Sequence, residues 1–361
     1  MVGIIFIGDL KYCPYLKRYE KILRELKEPY EFLFWNRSGD SMDAFPENYI
    51  AYQKPSILLQ NKFTKAKDFY GYRIWLKKRL KERKYNMLIL LSTLSGMLIE
   101  DVILTRYRKK YIFDIRDYSY EQNAIFYKAE KELLKNSQLN VISSEGFRAF
   151  LPQDEEYVIV NNITLPDRLE HTFRKKAYGS TLNLVWNGAL RYFEQQKHIM
   201  EKLRNDSRFQ VYYYGAGAEM DLYRAYLEKN PACNIELKGS YKSTETEQIL
   251  KNADIINNSY FVHIGTKYLM PNRFYDGIMY HIPQLVETNT HKCEQVKKRG
   301  LGMALDVLDE NFADNLYNSY FEIDENLFNE SCDQTLKEVL KEEEYFEESV
   351  KASIKMCREQ V

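Results

Sequence analysis

The sequence predicts an α/β protein built as two tandem domains, each around a parallel sheet. The chain has 361 residues, more than a single hydrophobic core usually serves. Short apolar or β-branched runs alternate with longer helical patterns, the signature of βα units packed around parallel strands. That alternation breaks once, near residue 165, and then starts again.

In the first half the expected strands are Val2 to Ile7, Glu31 to Trp35, Asn86 to Ser92, Lys110 to Asp117, Leu139 to Ser144 and Tyr157 to Asn162. Helical patterns lie between them. In the segment Leu16 to Leu26, for example, Leu16, Tyr19, Ile22, Leu23 and Leu26 recur at the spacing of one buried helix face. The stretch "ITLPDRLEHTFRKKAYGSTLN", with Pro166, Gly179 and a charged middle, has the composition of a linker. A second strand series follows: Leu182 to Gly188, Phe209 to Gly215, Asn234 to Gly239, Ala253 to Ser259, Ile282 to Thr288 and Gly302 to Asp306. The tail is helical in composition, with Phe346, Val350 and Ile354 at four-residue steps. The expected domains are therefore residues 1–165 and 166–340, with a C-terminal helix over 341–361 able to pack back on the first.

Composition excludes several classes. Lys+Arg and Asp+Glu both number 52, so no global field draws nucleic acid. The five cysteines are scattered, with neither a CxxC pair nor the spacing of a zinc site. The start "MVGIIFIGDL" lacks the basic segment of a signal peptide, and no run approaches the roughly 18 apolar residues of a spanning helix. A reducing cytoplasm is the expected compartment.

Ligands of open α/β sheets bind beyond the carboxyl ends of the strands. The most informative loop there is "TKYLMPNRFYDGIMYHIP". Pro271 marks a helix start, Asn272 is an expected N-cap, and free N–H groups at such a start suit an anion. Arg273, Asp276 and Tyr280 share the helix side away from Phe274 and Ile278. Spacing alone also allows Arg273 and Asp276 to be an exposed ion pair. The turn "GAGA" holds Gly215 and Gly217, and Gly188, Ser240 and Tyr241 stand at other strand ends. "FDIRDYS" closes a strand of the first domain with Arg116 and Asp117. The run Tyr72 to Tyr85 carries seven Lys or Arg around Ile74, Trp75, Leu76 and Leu80, which fits either an anionic membrane surface or a helix packed on its sheet.

"PNRFYDGIMYHIPQLVE" resembles a segment of the group 1 glycosyltransferases, which have the GT-B fold of two Rossmann-like domains facing across a cleft. The resemblance runs from about Leu139 to Glu287 and includes "NVISSEGFRAFL", "LNLVWNGALRYFEQQKHIM" and "FQVYYYGAGAEMDLYRAYL". It implies that Asp276 holds the ribose of a nucleotide diphosphate sugar of UDP or GDP type, with Asn272, Arg273, Gly188, Gly215, Gly217, Ser240 and Tyr241 around that donor. Arg191 and Lys197 would stabilise the leaving diphosphate. Arg116 or Asp117 would meet the transferred sugar or a glycan or lipid-linked acceptor. The family often has an acid eight residues before the ribose acid, where this chain has Tyr268. The resemblance further implies retaining transfer without metal or cofactor, at the inner face of the plasma membrane if the acceptor is lipid-linked. A sugar-nucleotide epimerase of the same fold and an idle binding domain are the alternatives.

Overall fold

The computed structural model describes residues 1–56, 62–166 and 171–359. It divides into two compact units, residues 1–161 with 341–361 and residues 162–340.

The first unit is a parallel sheet of β1 (Val2–Phe6), β2 (Tyr30–Asn36), β3 (Tyr49–Gln53), β4 (Met87–Leu91), β5 (Tyr111–Ile115), β6 (Leu139–Ile142) and β7 (Val158–Ile159), in the order β3-β2-β1-β4-β5-β6-β7. Its helices are α1 (Leu16–Glu25), α2 (Lys62–Glu82), α3 (Thr93–Met97), α4 (Glu100–Arg106) and α5 (Ala124–Asn136). Strands β1, β4 and β5 are buried along their whole length, as parallel strands covered on both faces must be. β3 was not expected from the sequence: it is an edge strand, YIAYQ, whose residues after Tyr49 are half-buried or exposed. On α1 the expected stripe is buried through Leu16, Tyr19, Ile22 and Leu23.

The basic run lies in α2, and its apolar side faces inward. Tyr72, Leu76 and Leu80 are fully buried, and the Tyr72 hydroxyl donates to the Phe6 carbonyl oxygen at 2.9 Å. Arg79 pairs with Glu31 at 2.9 Å, and Arg73 and Lys77 both pair with Asp101. Much of the apolar stripe is thus part of the core, although Ile74 of the run, and Phe63 and Tyr70 earlier on α2, are exposed. Among the described residues no helix is long and apolar enough to cross a membrane.

The second unit repeats the plan. β8 (Leu182–Asn187), β9 (Phe209–Tyr214), β10 (Ile235–Gly239), β11 (Ile255–Asn257), β12 (Gln284–Val286) and β13 (Gly302–Ala304) form a parallel sheet in the order β10-β9-β8-β11-β12-β13. Its helices are α6 (Phe193–Leu203), α7 (Met220–Lys229), α8 (Thr246–Lys251), α9 (Ile264–Lys267), α10 (Asn272–Met279), α11 (His291–Arg299) and α12 (Phe312–Glu322). Part of the expected linker falls on residues 167–170, outside those described. From 171 the chain is docked rather than loose: Phe173 is buried, its N–H donates to Asn329 Oδ1 at 2.8 Å, and the Lys175 ammonium caps the Phe321 and Ile323 carbonyls.

The tail is one helix, α13 (Glu325–Glu359), which begins well before the expected residue 341. Its early residues Phe328, Cys332, Leu336 and Val339 belong to the second core, and Phe346, Val350 and Ile354 belong to the first. There Phe346 meets Tyr19 edge-on at 5.5 Å, and the Asn161 N–H donates to Glu343 at 2.6 Å. Removing a buried phenyl ring leaves a cavity as well as losing transfer energy, so Phe346→Ala should lower stability by about 3 to 5 kcal/mol. Urea titration followed by circular dichroism checks this, and a loss under about 1 kcal/mol would show that the end of α13 is dispensable to the first core.

Candidate functional site

In the second unit the strand order reverses between β8 and β11, so the connections leaving these strands diverge and open a crevice at their carboxyl ends. The loops there are laced together through backbone. The Gly188 N–H donates to the Tyr214 carbonyl oxygen at 2.9 Å, Leu190 to Ala216 at 3.1 Å, and Gly215 to Gly239 at 2.7 Å. This explains the Gly-x-Gly turn: a Cβ on Gly215 would lie 1.8 Å from the Gly188 carbonyl oxygen, and one on Gly217 would lie 2.3 Å from that of Leu190. Both glycines serve the packing of one loop on another.

The helix start differs from expectation by one residue. Pro271 is the N-cap and Asn272 the first helical residue, so the Asn272 side chain caps nothing. Nor are Arg273 and Asp276 an exposed ion pair. Arg273 is buried; its Nε donates to the Asn187 carbonyl oxygen at 2.7 Å, and its guanidinium lies 3.3 Å from the centroid of the Trp186 ring. Asp276 instead accepts from Asn187 Nδ2 at 2.9 Å. Burial pushes the Asp276 carboxyl up to about 6, against the lowering influence of the Asn187 amide and the Arg273 charge. The same burial lowers Arg273, whose contacts are carbonyl oxygens and ring faces.

Behind this pair lies a second buried cation. The Lys292 ammonium is 3.0 Å from Glu287, 3.9 Å from the centroid of Tyr260, and donates to the Asn258 carbonyl oxygen. Burial lowers the Lys292 ammonium while Glu287 raises it. The Tyr260 N–H donates to the same carboxylate at 2.8 Å, and Tyr192 stacks on the Tyr260 ring. The Asn257 amide donates to Gln196 Oε1 at 2.7 Å and that of Asn258 to Gln284 Oε1 at 2.9 Å. These bonds tie the strand ends to one another, while Trp186 Nε1, Asn187 Oδ1, Asn258 Oδ1 and Glu287 Oε1 are buried with no hydrogen-bond partner among the described residues.

Among the other residues singled out, Tyr241 is partly buried, and burial followed by the Asp276 charge raises its hydroxyl, so it stands beside that acid. Ser240 is exposed and Tyr268 half-buried. Arg191 is exposed at the end of the β8 loop, where its carbonyl oxygen accepts from the Tyr223 hydroxyl at 2.8 Å. Lys197 lies on α6 and faces Glu201 at 3.7 Å. In the first unit β5 ends at Ile115, one residue before Arg116. Arg116 turns inward: its guanidinium meets Asp114 at 2.7 Å and covers the Tyr15 ring, while the Tyr19 hydroxyl donates to the same carboxylate. Asp117 is exposed. Sequence reasoning passed over Asn187, Trp186, Tyr260 and the Glu287–Lys292 pair. Asn187 lay in the expected strand "LNLVWNG" and Glu287 in the expected strand Ile282 to Thr288, but nothing in those runs marked them as site residues.

Two tandem Rossmann-like units, each in the order that reverses beside its first strand, constitute the GT-B fold. Solved structures of that fold match over nearly the whole chain. Sucrose-phosphate synthase from Thermosynechococcus elongatus aligns with a TM-score of 0.71 at 10% identity, covering 99% of this chain and 98% of that one. Anabaena HepE in complex with UDP-glucose aligns at 0.64 with 10% identity, covering 97% and 99%. The lipopolysaccharide outer core galactosyltransferase WaaB, in its apo form, aligns at 0.61 with 14% identity, covering 92% and 94%. No protein-family model matches the chain, and no curated protein matches its sequence.

The carboxyl of Asp276 is held above its ordinary range, so its ionised form opposes folding. That opposition is absent below the unfolded value of about 4, grows from there, and is complete above about 6. Asp276→Asn should therefore raise stability at pH 8 by up to about 3 kcal/mol, with the gain fading as pH falls toward 4. Urea melts across this range read it; a gain independent of pH would show that the carboxyl is not the source.

Proposed function

We propose that this protein is a glycosyltransferase that moves a sugar from a nucleotide diphosphate sugar to a hydroxyl acceptor. One observation carries the reading: at the carboxyl ends of β8 and β11, a buried cation and a poorly solvated carboxylate stand one helical turn apart on α10, each held by a different part of Asn187. A carboxylate accepts the two hydroxyls of a ribose, while Arg273 and the start of α10 supply positive potential for a diphosphate. The chain also folds like HepE, whose structure holds UDP-glucose.

In this reading the donor is of UDP or GDP type and lies against Asp276, Arg273, Tyr241 and the Gly188 loop. Arg191, exposed beside that loop, meets the diphosphate as its charge grows, with Lys197 farther along. Asp117 of the first unit is the group we assign to the acceptor, a glycan or lipid-linked glycan. Transfer is retaining and needs no metal, because fixed cations carry the leaving charge. The exposed charge of α2 suits an anionic surface.

Calorimetry with UDP, GDP and ADP tests the donor site. One of them should bind, and Asp276→Ala should weaken that binding by about 1 to 3 kcal/mol, as loss of a charged hydrogen bond does. A protein that binds none of the three is not a transferase of this kind.

The role of the cations has its own test. Transfer should persist in excess chelator, and Arg191→Ala should lower the rate more than it lowers donor affinity, since only stabilisation gained in the transition state speeds the step. Activity lost in chelator and restored by magnesium or manganese would reverse the assignment.

A further inference from the structure

Arg273 and Asp276 sit three residues apart on α10, the spacing at which opposite charges ordinarily pair along a helix, yet they do not pair. Asn187 separates them. Its backbone carbonyl takes Arg273 Nε at 2.7 Å and its side-chain amide gives Nδ2–H to Asp276 Oδ2 at 2.9 Å. It is the last residue of β8, pinned by pairing with Tyr214 of β9, and Gly188 after it turns away at φ 122°. One rigid strand end therefore holds the cation by its backbone and the acid by its side chain.

We propose that Asn187 is a positioning residue of the donor site: its amide keeps Asp276 ionised and aimed, and thereby sets the pH at which the site recognises a nucleotide diol. The proposal rests on the donor-site reading above. The groups facing Asp276 are few. Arg273 comes from its own helix, Tyr280 from the end of that helix, Tyr241 from the loop after β10, and Asn187 from β8. Among these, Arg273 is held by carbonyl oxygens, and the tyrosine hydroxyls stay neutral with raised values. Asn187 is the neutral donor whose removal changes the acid without changing the charge of the site. Leucine at 187 keeps the volume and the backbone carbonyl, so Arg273 keeps its partner while Asp276 loses its own.

The test follows the titration of the Asp276 carboxyl by carbon-13 NMR in the native protein and in Asn187→Leu, with circular dichroism to confirm folding. The midpoint should lie near 6 in the native protein and at least half a pH unit higher in the variant. In parallel, UDP and GDP affinities are measured from pH 5 to 8. Native binding should weaken as pH falls through that midpoint, and Asn187→Leu should move the fall to higher pH. In an Asp276→Asn background, where the acid is gone, Asn187→Leu should change affinity less than twofold. If Asn187→Leu fails to fold, Asn187→Ser, which keeps a short donor, takes its place and should give a smaller rise. An unmoved carboxyl midpoint, or an equal loss of affinity in both backgrounds, overturns the proposal. A native protein that binds neither nucleotide overturns the donor reading instead, and the carboxyl titration still decides whether Asn187 controls Asp276.

Discussion

The buried guanidinium of Arg273, which pairs with no carboxylate among the described residues, is the constraint around which the second unit is arranged. Moving a charge out of water is expensive unless polar groups replace the water. Around Arg273 the replacement comes from the Asn187 and Asn257 carbonyl oxygens and the face of Trp186. Those carbonyls sit at the ends of β8 and β11, the two strands between which the order reverses. There two neighbouring strands send their chains in opposite directions, leaving carbonyl oxygens open to a side chain. The topology thus creates the place, and the charge gives the place its use.

The same arithmetic explains why Asp276 is poorly solvated yet still a carboxylate. Pairing it with Arg273 would neutralise both groups and leave little to recognise a ligand. Separate partners keep a positive and a negative group available side by side, at a standing expense in stability. Sites commonly carry such expense, while the surrounding core is free of it. Beneath them, Lys292 and Glu287 do pair, and this pair serves to hold Tyr260 and the Asn258 carbonyl in place.

Much of the fold was legible because parallel strands buried on both faces must be runs of apolar residues, and the twelve expected runs each contain a strand. β3 escaped because an edge strand needs no such run. At the site, Asp276 and Arg273 were legible as residue types on one side of a helix, but their surroundings were not. Asn187 lies 89 positions from Asp276, and nothing local to either announces the other. The run "ADIINNS" was legible as a strand, but the burial and hydrogen bonding of Asn257, Asn258 and Ser259 at its end were not. The basic run of α2 was ambiguous for a similar reason: an amphipathic pattern does not say what its apolar side meets.

The course of α13 has a consequence for biogenesis. Phe346, Val350 and Ile354 complete a core whose strands are made from the opposite end of the chain. During synthesis the N-terminal sheet therefore emerges long before the residues that seal it, so this domain cannot finish folding as a vectorial, N-first unit. Until residues 346–354 have emerged, Tyr19 lacks the ring that packs on it. A stop codon ahead of residue 346 would therefore injure the core of the sheet translated first.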